Sequence, residues 1–152
     1  MPLHGRELVE RWRATAATYP DELVRAVVGA HVQIDHFWRF EMFRERANPL
    51  LAARATVEIH ERLLHVLLGI NRRWYSGFKL LDAVAERLTI APADFMDRLR
   101  SSYDPRRSEA LLGPLVEETY DLVEQHVPGI DVARLRAIFR YRRPLWDSAP
   151  DD

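Results

Sequence analysis

Apolar residues recur along this chain at steps of three and four, and no stretch alternates apolar with polar long enough to make a strand. The pattern predicts a short helix over 6–18 with Leu8, Val9 and Trp12 on its apolar side. A second, over 21–46, carries Val24, Val27, Val28, Ile34, Trp38 and Met42 on one face, and Phe37, Phe40 and Phe43 widen that face enough to need cover on two sides. A third, over 49–72, points Leu50, Val57, Leu64, Leu67 and Leu68 inward. Shorter helices are predicted over 79–88, with Leu80, Leu81, Val84 and Leu88 inward, and over 92–103 around Phe95, Met96 and Leu99. A long one from 105 presents Leu111, Leu112, Leu115, Val116, Thr119, Leu122 and Val123, and a last one presents Val132, Leu135, Ile138 and Phe139.

Helix-breaking residues fall between these segments, at Pro20, Asn48-Pro49, Ser76-Gly77, Ala91-Pro92, Asp104-Pro105 and Pro128-Gly129. Proline ahead of Asp21 and Glu22 suits a helix start, because carboxylates complement the unpaired amides there. Asp104 and Asp131 stand where caps belong. The expectation is an all-α bundle of three long helices, beginning at 21, 49 and 105, with shorter ones packed around them. It forms a single helical domain over 1–147, followed by a loose acidic tail over 148–152.

Length and composition narrow the classes. A chain of 152 residues, 47% hydrophobic and 30% charged, is of the size and make-up of one soluble globular domain. The absence of cysteine excludes disulfides, thiolate metal sites and a cysteine nucleophile, and the reading is cytoplasmic. Charge interrupts the apolar runs too often for a membrane span. A net charge of −1 gives no strong nucleic-acid signal.

Candidate chemistry gathers on the third helix and just beyond it. Arg54, Glu58, Glu61, His65 and Arg72 fall at helical spacing, a line of carboxylates, imidazole and guanidinium groups that is also what a solvated face looks like. The line runs into a corner that holds Asn71, Arg72, Arg73, Trp74, Tyr75, Ser76 and Lys79, the chain's one lysine. On the second helix His31, Asp35 and Arg39 are spaced as an ion-pair ladder. The pairs His31/His36 and His60/His65 are each five apart, which turns their rings away from a common metal, and no metal site is expected. No phosphate-binding glycine loop and no nucleophile elbow is present. Arg25/His31 and Arg54/His60 resemble the Arg-x4-6-His pairs of HEPN-superfamily ribonucleases, which implies a homodimeric nuclease or toxin as one alternative. A helical interaction module that dimerises through Phe37, Phe40 and Phe43 is another.

The run Leu67-Leu-Gly-Ile-Asn71-Arg72-Arg73-Trp74-Tyr75-Ser76-Gly77-Phe78-Lys79-Leu80-Leu81 resembles the central motif of a helical domain of unknown function. That domain lies C-terminal to a nucleotidyltransferase-fold domain in bacterial proteins, and is distantly similar to the helical domain of aminoglycoside nucleotidyltransferases. The resemblance extends from Tyr19-Pro20-Asp21-Glu22-Leu23 to Pro128-Gly129-Ile130-Asp131 and Arg142-Arg143-Pro144-Leu145-Trp146. It implies a substrate-binding, cleft-closing domain. A nucleotidyltransferase catalytic domain or subunit would then supply the metal and the ATP or GTP with Mg, because this chain lacks the Gly-Ser and Asp-x-Asp motifs of that domain. By the same resemblance Lys79 would touch a nucleotide phosphate, Tyr75 and Arg72 would line the cleft, and Glu58 or Glu61 would orient an acceptor hydroxyl or amine; Asn71 and His65 stand with them as candidate nucleotide- or substrate-binding residues.

Overall fold

The computed structural model describes residues 5–35, 37–46, 48–75, 77, 79, 83, 85 and 87–141, with the side chains of Trp38, Arg39 and Arg44 left aside. Among these residues there are seven helices and no strand: α1 (Arg6–Ala16), α2 (Asp21–His31), α3 (Phe37–Glu45), α4 (Pro49–Ile70), α5 (Phe95–Ser101), α6 (Ser108–His126) and α7 (Val132–Arg140). The all-α expectation holds. The inward positions expected at Leu80, Leu81 and Val84, the segment from Arg142 to Trp146, and the tail lie outside the described residues.

α4 and α6 form the spine. α4 packs against α2, α3 and α6, and α6 in turn against α5 and α7. Leu63, Leu64 and Leu67 of α4 and Leu112, Leu115, Val116 and Val123 of α6 are fully enclosed, each leucine contributing about 1.5–3 kcal/mol of apolar burial. Gly69 sets how closely α2 approaches, since a Cβ there would stand 3.1 Å from Val28 Cγ2 and 3.3 Å from Val27 Cγ1. The Asn48 side chain caps α4 by accepting from the Leu51 N–H at 3.1 Å, ahead of Pro49. Asp131 caps α7 in the same way, accepting from the Arg134 N–H at 3.0 Å.

Several boundaries differ from the periodic reading. The helix expected over 21–46 breaks after His31, where Val32 and Ile34 are buried while Gln33 and Asp35 face solvent, the period of an extended segment. β-branched residues hold the helix weakly here, and Arg62 Nη1 takes the Gln33 carbonyl at 3.1 Å, which fixes the break. His31 and Asp35, expected one turn apart on one helix, are thereby separated, and Asp35 accepts from Gln33 at 2.7 Å; the Arg39 end of the expected ladder lies outside the described side chains. α4, at 22 residues, and α6, at 19, are the longest of the described helices. α6 starts at Ser108 because Asp104 folds 104–108 into turns, accepting from the amides of Arg106, Arg107 and Ser108. Leu50 and Val57, expected in the core, are 78% and 40% exposed. Phe37 and Phe40 are interior and Phe43 half-buried. α1 has no buried residue and exposes Leu8, Val9 and Trp12.

Candidate functional site

At the end of α4 the corner is braced by its own polar side chains. The Asn71 carboxamide donates to the carbonyls of Leu67 (2.7 Å) and Ile90 (2.8 Å) and accepts from the amides of Thr89 (2.8 Å) and Ile90 (3.0 Å) and the Thr89 hydroxyl (3.2 Å). Both its N–H groups and its oxygen are committed. Arg72, in the left-handed region at φ 54°, donates to the Tyr19 carbonyl at 3.1 Å and pairs with Asp21 at the start of α2. The Trp74 indole N–H donates to the Ala16 carbonyl at 2.8 Å and its ring lies 4.8 Å from that of Tyr19. These bonds engage Asn71 with 89–90, Arg72 with Tyr19 and the start of α2, and Trp74 with the end of α1.

What the brace presents is a short run of rings. Tyr75 turns back over α4 to reach His65, ring centres 4.3 Å apart, and His65 stacks on His31 at 4.1 Å with the planes inclined 16°. His65 Nδ1 donates to the Glu61 carbonyl at 2.7 Å, so Nδ1 carries the proton and Nε2 is the remaining acceptor, with no partner among the described residues. Burial, followed by the neighbouring His65 and Arg62, pushes His31 below the ordinary imidazole value, while Glu61 opposes the shift. Burial and the Glu61 carboxylate hold the Tyr75 hydroxyl above its usual value. The shelf sets two stacked imidazoles beside a phenol, with the Glu61 carboxylate acting on His31 and on Tyr75.

One turn back along α4 the same face borders a cleft of about 500 Å³ between α3, α4 and the 32–35 segment. Phe37, Phe40 and Ile59 line its apolar side, and Asp35, Arg54, Glu58 and Arg62 its polar side. Glu58 pairs with Arg54 at 3.0 Å. Arg62 joins cleft and shelf, since it lines the one and its charge bears on His31 in the other.

Of the seven residues expected at the site, Glu61, His65 and Tyr75 come together. Glu58 lies in the adjoining cleft, Asn71 and Arg72 bond to neighbouring segments, and Lys79 is exposed with no ion-pair partner among the described residues. His31 and Arg62 complete the site and were not expected there, because no spacing rule links side chains on different helices. The Arg54/His60 pair is separated by burial: Arg54 is exposed, whereas His60 is 1% exposed, 2.7 Å from the Ser102 hydroxyl and edge-on to Tyr103. Among the described residues no three His, Asp or Glu side chains converge as metal ligands would, and no helix is long and apolar enough to cross a membrane. No family model, curated protein or solved structure matches this chain.

Proposed function

We propose that this chain is the substrate-binding, cleft-closing helical half of a nucleotidyltransferase, completed by a catalytic domain or subunit that supplies the metal and nucleotide site. One observation carries the reading: three successive turns of α4 bear the polar wall of a cleft and an imidazole shelf, and end in a corner whose backbone is held rigid by Asn71, Arg72 and Trp74. Such a surface is preorganised to receive a ligand yet holds no complete set of catalytic groups.

In this arrangement the acceptor enters the cleft, where the Glu58 carboxylate orients its hydroxyl or amine. The Nε2 of His65, with no partner among the described residues, faces the path from cleft to corner as a candidate proton acceptor. Lys79, beyond the corner, meets a phosphate of the nucleotide brought by the partner. The resemblance of 67–81 to the nucleotidyltransferase-associated helical domain supports the same assignment.

Calorimetric titration of ATP and GTP with Mg²⁺ into the purified chain tests it. The expected result is weak saturable binding that Lys79→Ala reduces by about tenfold, the loss of one charge-assisted phosphate contact. A folded wild-type chain that takes up neither nucleotide at millimolar concentration overturns the nucleotide-facing role of the corner.

A further inference from the structure

The rings of the site continue beyond it, onto α1. Trp74 rests against Tyr19 and holds the Ala16 carbonyl; one turn before Ala16 stands Trp12, 63% exposed, beside the exposed Leu8 and Val9. Trp74 and Tyr75, next to each other in sequence, are 51% and 40% exposed. From Tyr19 and Trp74 at one end of α2 to His31 at the other, the run of rings spans roughly 15 Å, at 1.5 Å per helical residue.

Cations border this run. At 100° per residue Arg6, Arg11 and Arg13 flank the apolar stripe of α1, whereas Glu7 and Glu10 fall on the opposite side. Arg73 immediately precedes Trp74, and Lys79 follows Gly77. Arg13, Arg73 and Lys79 are exposed and have no ion-pair partner among the described residues. Of the carboxylates along the rings, Glu61 stands at the His31 and Tyr75 end, and Asp21, at the Tyr19 and Trp74 end, is paired with Arg72.

Exposed aromatic rings interleaved with unpaired cations form a platform on which bases stack while phosphates meet charge, without demand for a particular sequence. A folded aminoglycoside-sized acceptor would leave Trp12 and Arg13 unused. A membrane would be met by one short helix with three apolar side chains, too little for stable anchoring.

We infer that the acceptor read by this domain is a single-stranded nucleic acid, laid along Trp12, Trp74, Tyr75 and the His65–His31 pair with its phosphates toward Arg13, Arg73 and Lys79. The inference rests on the nucleotidyltransferase reading for the role of the strand as acceptor. At the 3.4 Å stacked rise, the run of rings accommodates roughly four nucleotides.

The test is fluorescence anisotropy of the purified chain with a labelled single-stranded RNA of about 12 nucleotides, with the blunt duplex of the same strand as competitor. Saturable single-strand binding is expected, with the duplex weaker by about tenfold. Trp12→Ala and Tyr75→Ala are each expected to weaken binding by about tenfold, the loss of one stacked base, while circular dichroism shows the helices intact. Trp74 is left in place because its indole holds α1. Arg73→Ser with Lys79→Ala should lower the salt dependence by about one and a half units of log–log slope. No saturable binding by the folded chain at low salt overturns the inference, as does equal affinity for the duplex, or strand binding that Trp12→Ala and Tyr75→Ala leave unchanged. Nucleotide binding without strand binding removes this inference alone. Strand binding without nucleotide binding removes the nucleotidyltransferase reading and leaves a single-strand-binding domain.

Discussion

The imidazole of His31 lies face to face on that of His65, ring centres 4.1 Å apart and planes inclined 16°, and so joins the last residue of α2 to the penultimate turn of α4. Two imidazoles so close cannot both become cations without mutual repulsion, and Arg62 adds a positive charge beside them. Glu61, the one opposing carboxylate, returns part of that cost.

His31 should therefore titrate below the free imidazole value. In an NMR titration of the ring protons, His65→Gln removes the contribution of its neighbour and raises the His31 midpoint part of the way back. The remainder, set by burial and by Arg62, stays. A His31 midpoint at or above the free value, or one indifferent to His65→Gln, would show the stack to be absent in solution.

Acid should unfold this protein partly through His60. Burial pushes its pKa to about 4, and its Nδ1 has no hydrogen-bond partner, so the folded state resists protonation that the unfolded chain accepts at the ordinary value. The stability due to neutral His60 is complete above pH 6.5, begins to fall as the pH drops through that value, and is fully lost below about 4. By pH 5 the loss reaches about 2 kcal/mol. Urea midpoints at pH 7 and 5 measure it, and in His60→Leu the pH-dependent part should shrink by about that amount.

Asn71→Ala should destabilise the fold by about 2–3 kcal/mol, because it strands the amides of Thr89 and Ile90. Asn71→Asp keeps the acceptor but turns a carboxylate toward the carbonyls of Leu67 and Ile90, and should be no better. Thermal unfolding decides. A stable Asn71→Ala chain that has merely lost nucleotide binding would return Asn71 from the fold to the site.

Leu50 sits in the first turn of α4, which has no acidic residue, and is 78% exposed. Leu50→Glu should stabilise the chain by about 0.5 kcal/mol through the helix dipole, with no apolar burial given up. Chemical denaturation would detect it, and a clear destabilisation would mean that the side chain is covered, by a partner or by this chain.

Much of the fold was legible in the linear pattern. Leu64, Leu67 and Leu68 on α4, and Leu112, Leu115, Val116 and Val123 on α6, share helix faces that their spacing already declares, and Asn48 and Asp131 cap where local chemistry requires. The corner after α4 was recognisable as a concentration of polar and aromatic residues. What it does was only half recognisable, since Asn71, Arg72 and Trp74 look the same in sequence whether they hold a ligand or a backbone.

Sequence by itself determined the class of fold and the core faces of the two long helices. Periodicity reports which residues lie on one side of one helix, and capping reports where that helix starts. Tertiary structure alone decided that the second helix stops at His31, that Leu50 and Val57 stay outside, that His60 is sealed inside and His31 meets His65, and that Trp74 bonds the end of α1. Each of these depends on which helix faces meet in space. That choice minimises exposed apolar surface and unpaired polar groups over the whole chain at once, so no local window contains it.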